Sequence, residues 1–526
     1  MNKFKSPLKK GTESSGENVS FWIDSSAKEA FETPDRNIHT EVLIIGGGIA
    51  GLTTAYKLLK SGKKVVVVED GFIGSGESGR TTAHLSNAFD NRYYYLENVF
   101  GKEITKQVAL SHTEAIDEIE RIVTTLDINC SFKRIAGYLF LDETDKEESL
   151  DREFEATQNA GLPTEILNTT PGLNGGEEIR CLKFSNQAQF HILQYLNGLA
   201  KAIVSLGGVI FECAHAQNIS DKGAEVNGYT FLANHIVVAT NSPINNLVQM
   251  HTKQYAYRTY VIAGKIPKGC LPYSLWWDTG DYKSKLRTKP YHYVRIENYD
   301  ENYDLLISGG EDHKTGQLDE EDFSANERYM RLEAWTKNFF PMLGDISYKW
   351  SGQIIEPIDT LGFMGKNPGD DNIYIITGDS GNGMTHATIG ALIISDMICG
   401  IKNKWEEIYD PNRITWKTSG DFLKEAGNMA AQILDWIKES DLKNTIQLDN
   451  GEGGIITLGL KKIAVYRDYD NSLAAYSAVC PHLGCIVKWN SDEKSFDCPC
   501  HGSRFACDGT VINGPAESNL NKIGLK

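Results

Sequence analysis

Apolar positions along this chain change their spacing several times, and the changes divide it. From Glu41 the run VLII leads into a glycine-rich turn, then a stretch with helical spacing, then the run VVVV ending at Glu69. Short continuous apolar runs bounded by turns predict buried parallel strands, and the helical stretch between them predicts the crossover of a βαβ unit. The pattern returns at 371–400, where an apolar run, the turn GDSGNG and a helical stretch follow one another, so this half is expected to be assembled from separate pieces of chain. Between about 95 and 350, helical stretches such as 102–125 and 188–206 alternate with aromatic, strand-like segments, among them the hairpin pattern YHYVRIENYDENYDLLISGG at 291–310. That mixture predicts a second lobe built on an antiparallel sheet. Residues 418–440 read as an amphipathic linker helix, and beyond about 445 short β-like runs are punctuated by Gly, Asp and Asn. Residues 1–38, rich in Lys, Ser, Glu and Gly, are expected to form a mobile or surface-wrapped leader.

Composition narrows the class. With 526 residues the chain exceeds what one core organises, and two or three domains are expected. Hydrophobic residues at 41% and charged residues at 23% match ordinary soluble proteins, and no apolar run approaches the length of a membrane span. Lys3, Lys5, Lys9 and Lys10 are followed by no apolar stretch, which speaks against a secretory signal and for a cytoplasmic location. A net charge of -17 repels phosphate backbones and argues against nucleic acid as a partner. Cys130, Cys181, Cys213, Cys270 and Cys399 are scattered, whereas Cys480, Cys485, Cys498, Cys500 and Cys507 crowd together and need a chemical explanation.

Within that crowd, CPHLGC at 480–485 places Cys480 and His482 on one loop, and CPCHGS at 498–503 places Cys498 and His501 on another. The intervening VKWNSDEKSFD reads as a hairpin that sets the loops side by side. Two thiolates and two imidazoles suit a Rieske 2Fe-2S centre, with Cys480 and Cys498 on one iron and His482 and His501 on the other. A structural zinc site takes the same donors, and cysteines without metal are the third reading. The two loops resemble those of the Rieske proteins of respiratory cytochrome bc complexes. That resemblance implies a disulfide between Cys485 and Cys500 tying the loops, and a Ser503 hydroxyl donating to a cluster sulfide. Phe505 stands where that family usually carries a tyrosine donor, which implies a lower potential. Cys507 reads as an ordinary small apolar residue.

GGGIAG at 46–51 offers Gly46 for a tight turn, Gly48 for close approach of backbone to a pyrophosphate and Gly51 for helix packing. Glu69 follows as an acceptor for an adenosine ribose hydroxyl. NAD would satisfy this fingerprint as well as FAD. SGRTTAHLS at 78–86, ANHIVVATNSP at 233–243 and GDSGNGMT at 378–385 resemble the FAD-dependent oxidoreductases of the D-amino-acid oxidase and glycine oxidase type. The resemblance runs over roughly residues 40–400, thins between 95 and 350, and implies FAD as cofactor. It places Arg80, Thr81 and Thr82 along the dinucleotide. It sets Gly381, Asn382, Gly383 and Met384 at the N1 and C2-carbonyl edge of the flavin, where backbone donors favour the reduced ring. His84 stands close to where some amine dehydrogenases of this family attach flavin covalently, although their spacing differs; packing beside the cofactor is the alternative.

Together these readings predict an α/β protein, a Rossmann-like FAD domain with an antiparallel-sheet substrate lobe, followed by a small all-β Rieske domain. The expected division is a flexible leader at 1–38, the oxidoreductase at 39–415, a linker helix at 416–444 and the Rieske domain at 445–526. Within the oxidoreductase, the nucleotide half is expected at about 39–95, 185–245 and 350–415, and the substrate lobe at 96–184 and 246–349. The resemblance implies hydride removal from the carbon bearing the nitrogen of an amine or amino acid, with single electrons leaving through the cluster to an unidentified acceptor. A dehydrogenase is therefore favoured over an oxidase, and no catalytic acid or base is singled out. A reductase component feeding a partner protein and a non-catalytic redox sensor are the competing readings, although no second dinucleotide fingerprint supports the reductase. Arg258, Tyr260, Trp277, Tyr291, Tyr293 and Arg295 fall on strand-like stretches and could form an aromatic, cation-bearing pocket for a carboxylate. Glu311, Asp312 and His313, after the Gly309–Gly310 turn, read as solvated polar residues rather than a metal triad.

Overall fold

The computed structural model describes residues 16–27, 29–245, 250–284, 290–317, 323–415 and 448–524. The predicted linker helix lies outside the described residues.

The nucleotide half is built on strands in the order Phe363–Lys366, Ile373–Thr377, Tyr229–Val238, Ile38–Ile45, Val65–Val68 and Val209–Phe211. The edge strand Phe363–Lys366 pairs antiparallel, and the other five run parallel. Two short strands, Ala216–Ser220 and Gly223–Val226, complete an eight-stranded sheet. Val42 and Ile44 pack into one core and Leu43 and Ile45 into another, as a parallel strand covered on both faces must. The helix Ile49–Lys60 follows at once. A Cβ on Gly51 would lie 1.9 Å from the Gly46 carbonyl oxygen, so only glycine lets this helix start so close to its strand.

The substrate lobe is a nine-stranded sheet, antiparallel except where Ser274–Asp278 pairs parallel with Lys133–Phe140. The expected hairpin is present, with Tyr293–Asn298 against Tyr303–Lys314. Gly309 and Gly310 do not form a turn; they lie within the second strand, which Glu311, Asp312 and His313 continue. The chain leaves this sheet after Gln189 and after Pro357, a few residues beyond the expected boundaries, because Cys181–Gln189 and Ile346–Pro357 pair along their length within it. Helix Lys102–Thr125, expected in the substrate lobe, packs on the nucleotide half: Ser111 meets the Tyr409 hydroxyl at 2.7 Å, and His112 Nδ1 meets Thr385 Oγ1 at 2.8 Å.

Of the leader, residues 16–27 wrap onto the larger domain. Ser20 caps the short helix Phe21–Ser25, Phe21 and Trp22 are buried, and the Trp22 indole donates to the Thr81 carbonyl at 2.6 Å. Two aromatic anchors in a polar stretch suffice to pin it. The C-terminal domain is all β, with three antiparallel strands over 452–477 and four over 488–513. Among the described residues no helix is long and apolar enough to cross a membrane.

Candidate active site and cluster site

The hairpin 488–490/495–497 brings two loops of the C-terminal domain together. Each loop closes on itself: the Gly484 amide donates to the Cys480 carbonyl and the Gly502 amide to the Cys498 carbonyl, both at 3.0 Å. Cys480 and Cys498 are buried side by side, and the His482 and His501 rings stand edge to face at 4.8 Å. A disulfide joins Cys485 and Cys500 across the loops. His501 Nδ1 is buried without a hydrogen-bond partner. Burial, with His482 beside it, pushes this imidazole down to about 3, which keeps it in the neutral form that ligates metal. The Ser503 hydroxyl bonds Cys480, and Phe505 is fully buried. Two thiols, two imidazoles and a hydroxyl donor fit a Rieske cluster.

A cavity of about 310 Å³ is lined from both sheets of the larger domain. Gly46, Gly48, Glu69, Thr81, Thr82, His84, Gly381, Asn382, Gly383 and Met384 all border it, while Gly51 packs behind, under its helix. Two helix N-termini, of Ile49–Lys60 and Gly383–Ile398, supply backbone N–H groups at its wall. A Cβ on Gly48 would meet Ser78 Oγ at 2.8 Å, so the backbone there stays bare for a ligand to approach. Burial pushes Glu69 up to about 7 against the amides of Gly47 and Gly71 that it accepts from. Both nitrogens of His84 meet protein atoms, Thr82 Oγ1 at 3.0 Å and the Val294 carbonyl at 3.3 Å, which suits packing beside a cofactor. These features fit an extended dinucleotide.

A family model for FAD dependent oxidoreductases matches residues 41–397, and one for the Rieske [2Fe-2S] domain matches residues 439–524. The chain belongs to the FAD dependent oxidoreductases. This oxidoreductase is similar over almost its whole length to YhfW of Bacillus subtilis (strain 168), described as a Rieske 2Fe-2S iron-sulfur protein: 30% identity over 516 residues, 96% of this chain and 97% of that one. The gamma-glutamylputrescine oxidoreductase of Escherichia coli (strain K12) is 24% identical over 405 residues, 74% of this chain and 90% of that one. Among solved structures, glycine oxidase from Geobacillus kaustophilus shares the fold, with a TM-score of 0.57 and 17% identity over 72% of this chain and all of its own. FAD and a 2Fe-2S cluster are the cofactors, which sets aside zinc and NAD.

The oxidoreductase uses its arginines differently from the sequence-based expectation. Arg80 borders the cavity, but its guanidinium donates to the Ser351 carbonyl at 2.5 Å, to the Asn18 carbonyl at 3.0 Å and to Glu493 of the Rieske domain. Arg258 is buried on Ser351 Oγ at 2.6 Å and lies 3.8 Å from Glu493. Arg295 is bound to Glu297 and to three backbone carbonyls. Arg258, Tyr260 and Arg295 therefore do not line the cavity, and the expected cationic carboxylate pocket is absent among the described residues; Trp277, Tyr291 and Tyr293 do line it. Asp312, read as solvated, is a cavity residue, whereas Glu311 and His313 diverge from it toward His292 and Tyr260.

Sequence reasoning missed the junction with the Rieske domain altogether. Glu493 accepts from Arg80 and Ser351, the Gln353 side chain donates to the Gly502 carbonyl at 3.0 Å, and Gln317 donates to the Pro499 carbonyl at 2.9 Å. His251 stands against both cluster imidazoles, at 4.8 Å from His482 and 5.8 Å from His501. Val511 to Gly514, Ala516 and Glu517 of the Rieske domain border the FAD cavity, where the Glu517 carbonyl meets His215 at 2.9 Å. No local motif marks these residues, because the hydrogen-bonded and ring partners lie more than a hundred positions apart in the chain.

Proposed function

We propose that this oxidoreductase dehydrogenates the carbon–nitrogen bond of an amine or amino acid and that the electrons leave through its Rieske domain. The observation that carries the reading is the direction the imidazole ligands face. His482 and His501 are each 8% exposed; the His251 ring stands against both, and Gln353 bonds the loop beside His501. Gln353 borders the FAD cavity and bonds the carbonyl next to His501, so one side chain spans from cavity wall to ligand loop.

When bound, FAD supplies an acceptor for the hydride that leaves the carbon beside nitrogen, and the cluster supplies a one-electron carrier. The chain's own residues do the positioning. The glycine turn and the helix N-terminus at 46–51 would hold the pyrophosphate, Gly381 to Met384 would hold the flavin's carbonyl edge, and the Rieske segment 511–517 closes the cavity. The buried arginine–carboxylate contacts keep the cluster loops against the oxidoreductase. A one-electron exit suits an acceptor other than oxygen, hence a dehydrogenase.

Anaerobic mixing of the loaded protein with amines and amino acids is expected to bleach the flavin and to raise the reduced Rieske signal in low-temperature EPR. Bleaching by NAD(P)H alone would overturn the reading.

A further inference from the structure

At its substrate end the cavity combines an aromatic floor with carboxylate walls. Trp277 lies opposite Tyr293, Tyr293 opposite Gly309, and Gly309 opposite Val261, so these positions form one row on one face of the sheet. Glycine makes room for the rings: a Cβ on Gly309 would meet the Tyr293 ring at 2.3 Å, and one on Gly137 would meet Trp277 at 2.4 Å. Tyr293 also shares a hydrogen bond with Thr259 at 2.7 Å. Beside this floor stand two carboxylates. Thr259 bonds Asp312, while Tyr291 and the Gly381 amide bond Asp90. Oδ1 of Asp312 is buried without a hydrogen-bond partner.

Among the described residues, the positive charge near this end is already committed. Arg92 donates to the carbonyls of Asp90 and Asp278 at 3.0 and 3.1 Å, and Arg80 and Arg295 are bound as described above. Burial works against charge on His292, yet Asp278 and Glu311 raise it to about 9, and its imidazolium sits between those two carboxylates at 2.8 and 3.4 Å. Of the histidines on the cavity wall, burial pushes His84 down to about 3 and His386 to about 4, so both are neutral. Burial also pushes Asp312 up to about 7 and raises Asp90, and neither the His292 charge acting on the first nor the Arg92 charge acting on the second offsets it.

We propose that the substrate end takes an alkylammonium that bears no carboxylate, its cation held by Asp312 and Asp90 against the Tyr293 and Trp277 rings. The proposal rests on the reading of the chain as an amine dehydrogenase and narrows it. A bound ammonium supplies the charge that these half-buried acids lack, and the ring faces attract it. An amino-acid carboxylate would instead bring a third negative charge into the same space.

The test is an anaerobic titration of the FAD-loaded, cluster-loaded full chain with butylamine, N-methylbutylamine and 1,4-diaminobutane, against glycine, sarcosine and proline. The flavin spectrum reads binding, and its bleaching reads oxidation. The amines are expected to perturb the spectrum at concentrations at least tenfold lower than the amino acids, and Asp312→Asn to weaken them about tenfold while leaving the spectrum of the free protein unchanged. Spectral binding of the amines without bleaching by any compound would sink the dehydrogenase reading and leave the cation site standing. Equal or tighter binding of the amino acids, or amine binding unmoved in both Asp312→Asn and Asp90→Asn, would overturn the proposal, as would no perturbation by any amine.

Discussion

At the junction with the Rieske domain, Glu493 and Asp497 titrate below the usual carboxylate range, whereas on the cavity wall Asp312 and Asp379 are pushed up to about 7. Burial is the largest influence on all four, and in each it opposes ionisation. At the junction it is outweighed by Arg80, Arg258 and Arg504. On the cavity wall the foremost charged neighbours are other acids, Asp90 for Asp312 and Glu77 for Asp379. The contrast separates two uses of buried charge. Matched charges hold the contact between domains; the unmatched Asp312, on the proposal above, is where a partner of opposite sign arrives.

The largest effect is expected from breaking the matched set. Glu493→Ala leaves Arg80 and Arg258 buried without their shared acid, and should cost about 3–5 kcal/mol in denaturant unfolding of the loaded protein. A loss under about 1 kcal/mol would mean that the junction is held by something else. Next, a saturating alkylammonium should stabilise the FAD-loaded chain by about 2.7 kcal/mol at a hundredfold excess over its Kd. That gain should be larger at pH 8 than at pH 5, where Asp312 is protonated.

A smaller effect separates the two regions by pH. The depressed pKa values of Glu493 and Asp497 mean that their contribution is complete above the unfolded carboxylate values, near pH 4, and is lost as pH falls through the folded values. Asp312 and Asp379 behave oppositely: their contribution is present below about pH 4 and fades as pH rises through about 7. Without amine, stability should therefore fall between about pH 4 and 7 and stay low above that, and Asp312→Asn should reduce the fall by roughly 1–3 kcal/mol, read from melting temperatures across that range. The smallest effect concerns the link between the regions. Gln353→Leu should slow cluster reduction by a few fold in stopped-flow while flavin bleaching by amine keeps its rate; equal rates for both steps would dismiss Gln353 as a bridge.

Sequence reading met its limits at particular residues. Arg258 and Tyr260 were expected in the pocket because they sit on a strand rich in aromatic residues, but alternation along a strand leaves open which face meets the cavity. Thr259 and Val261 face it, and their neighbours face away. Asp312 reads as solvated in the sequence, rather than as a cavity residue, for a subtler reason. From Gly309 the simple alternation would turn Glu311 toward the cavity, but the register against the neighbouring strand shifts between Arg258 and Tyr260, where Glu311 adopts a φ of +59°. That bulge inserts one residue and re-aims Asp312.

Cys480, His482, Cys498 and His501 could be read directly, because each loop carries two ligands within a few residues and covalent spacing alone keeps them together. The glycines at 46–51 were legible for a similar reason, since a tight turn between strand and helix makes steric demands that few residues meet. Local chemistry of this kind is written in the order of the residues. Asp90 and Asp312 sharing one cavity, Arg80 turning from the dinucleotide to Glu493, and His251 standing against two cluster ligands depend on sheet register and on how one domain docks on another. Those contacts join positions far apart in the chain, where no spacing rule connects them, and folding of the whole molecule was needed to bring them within reach.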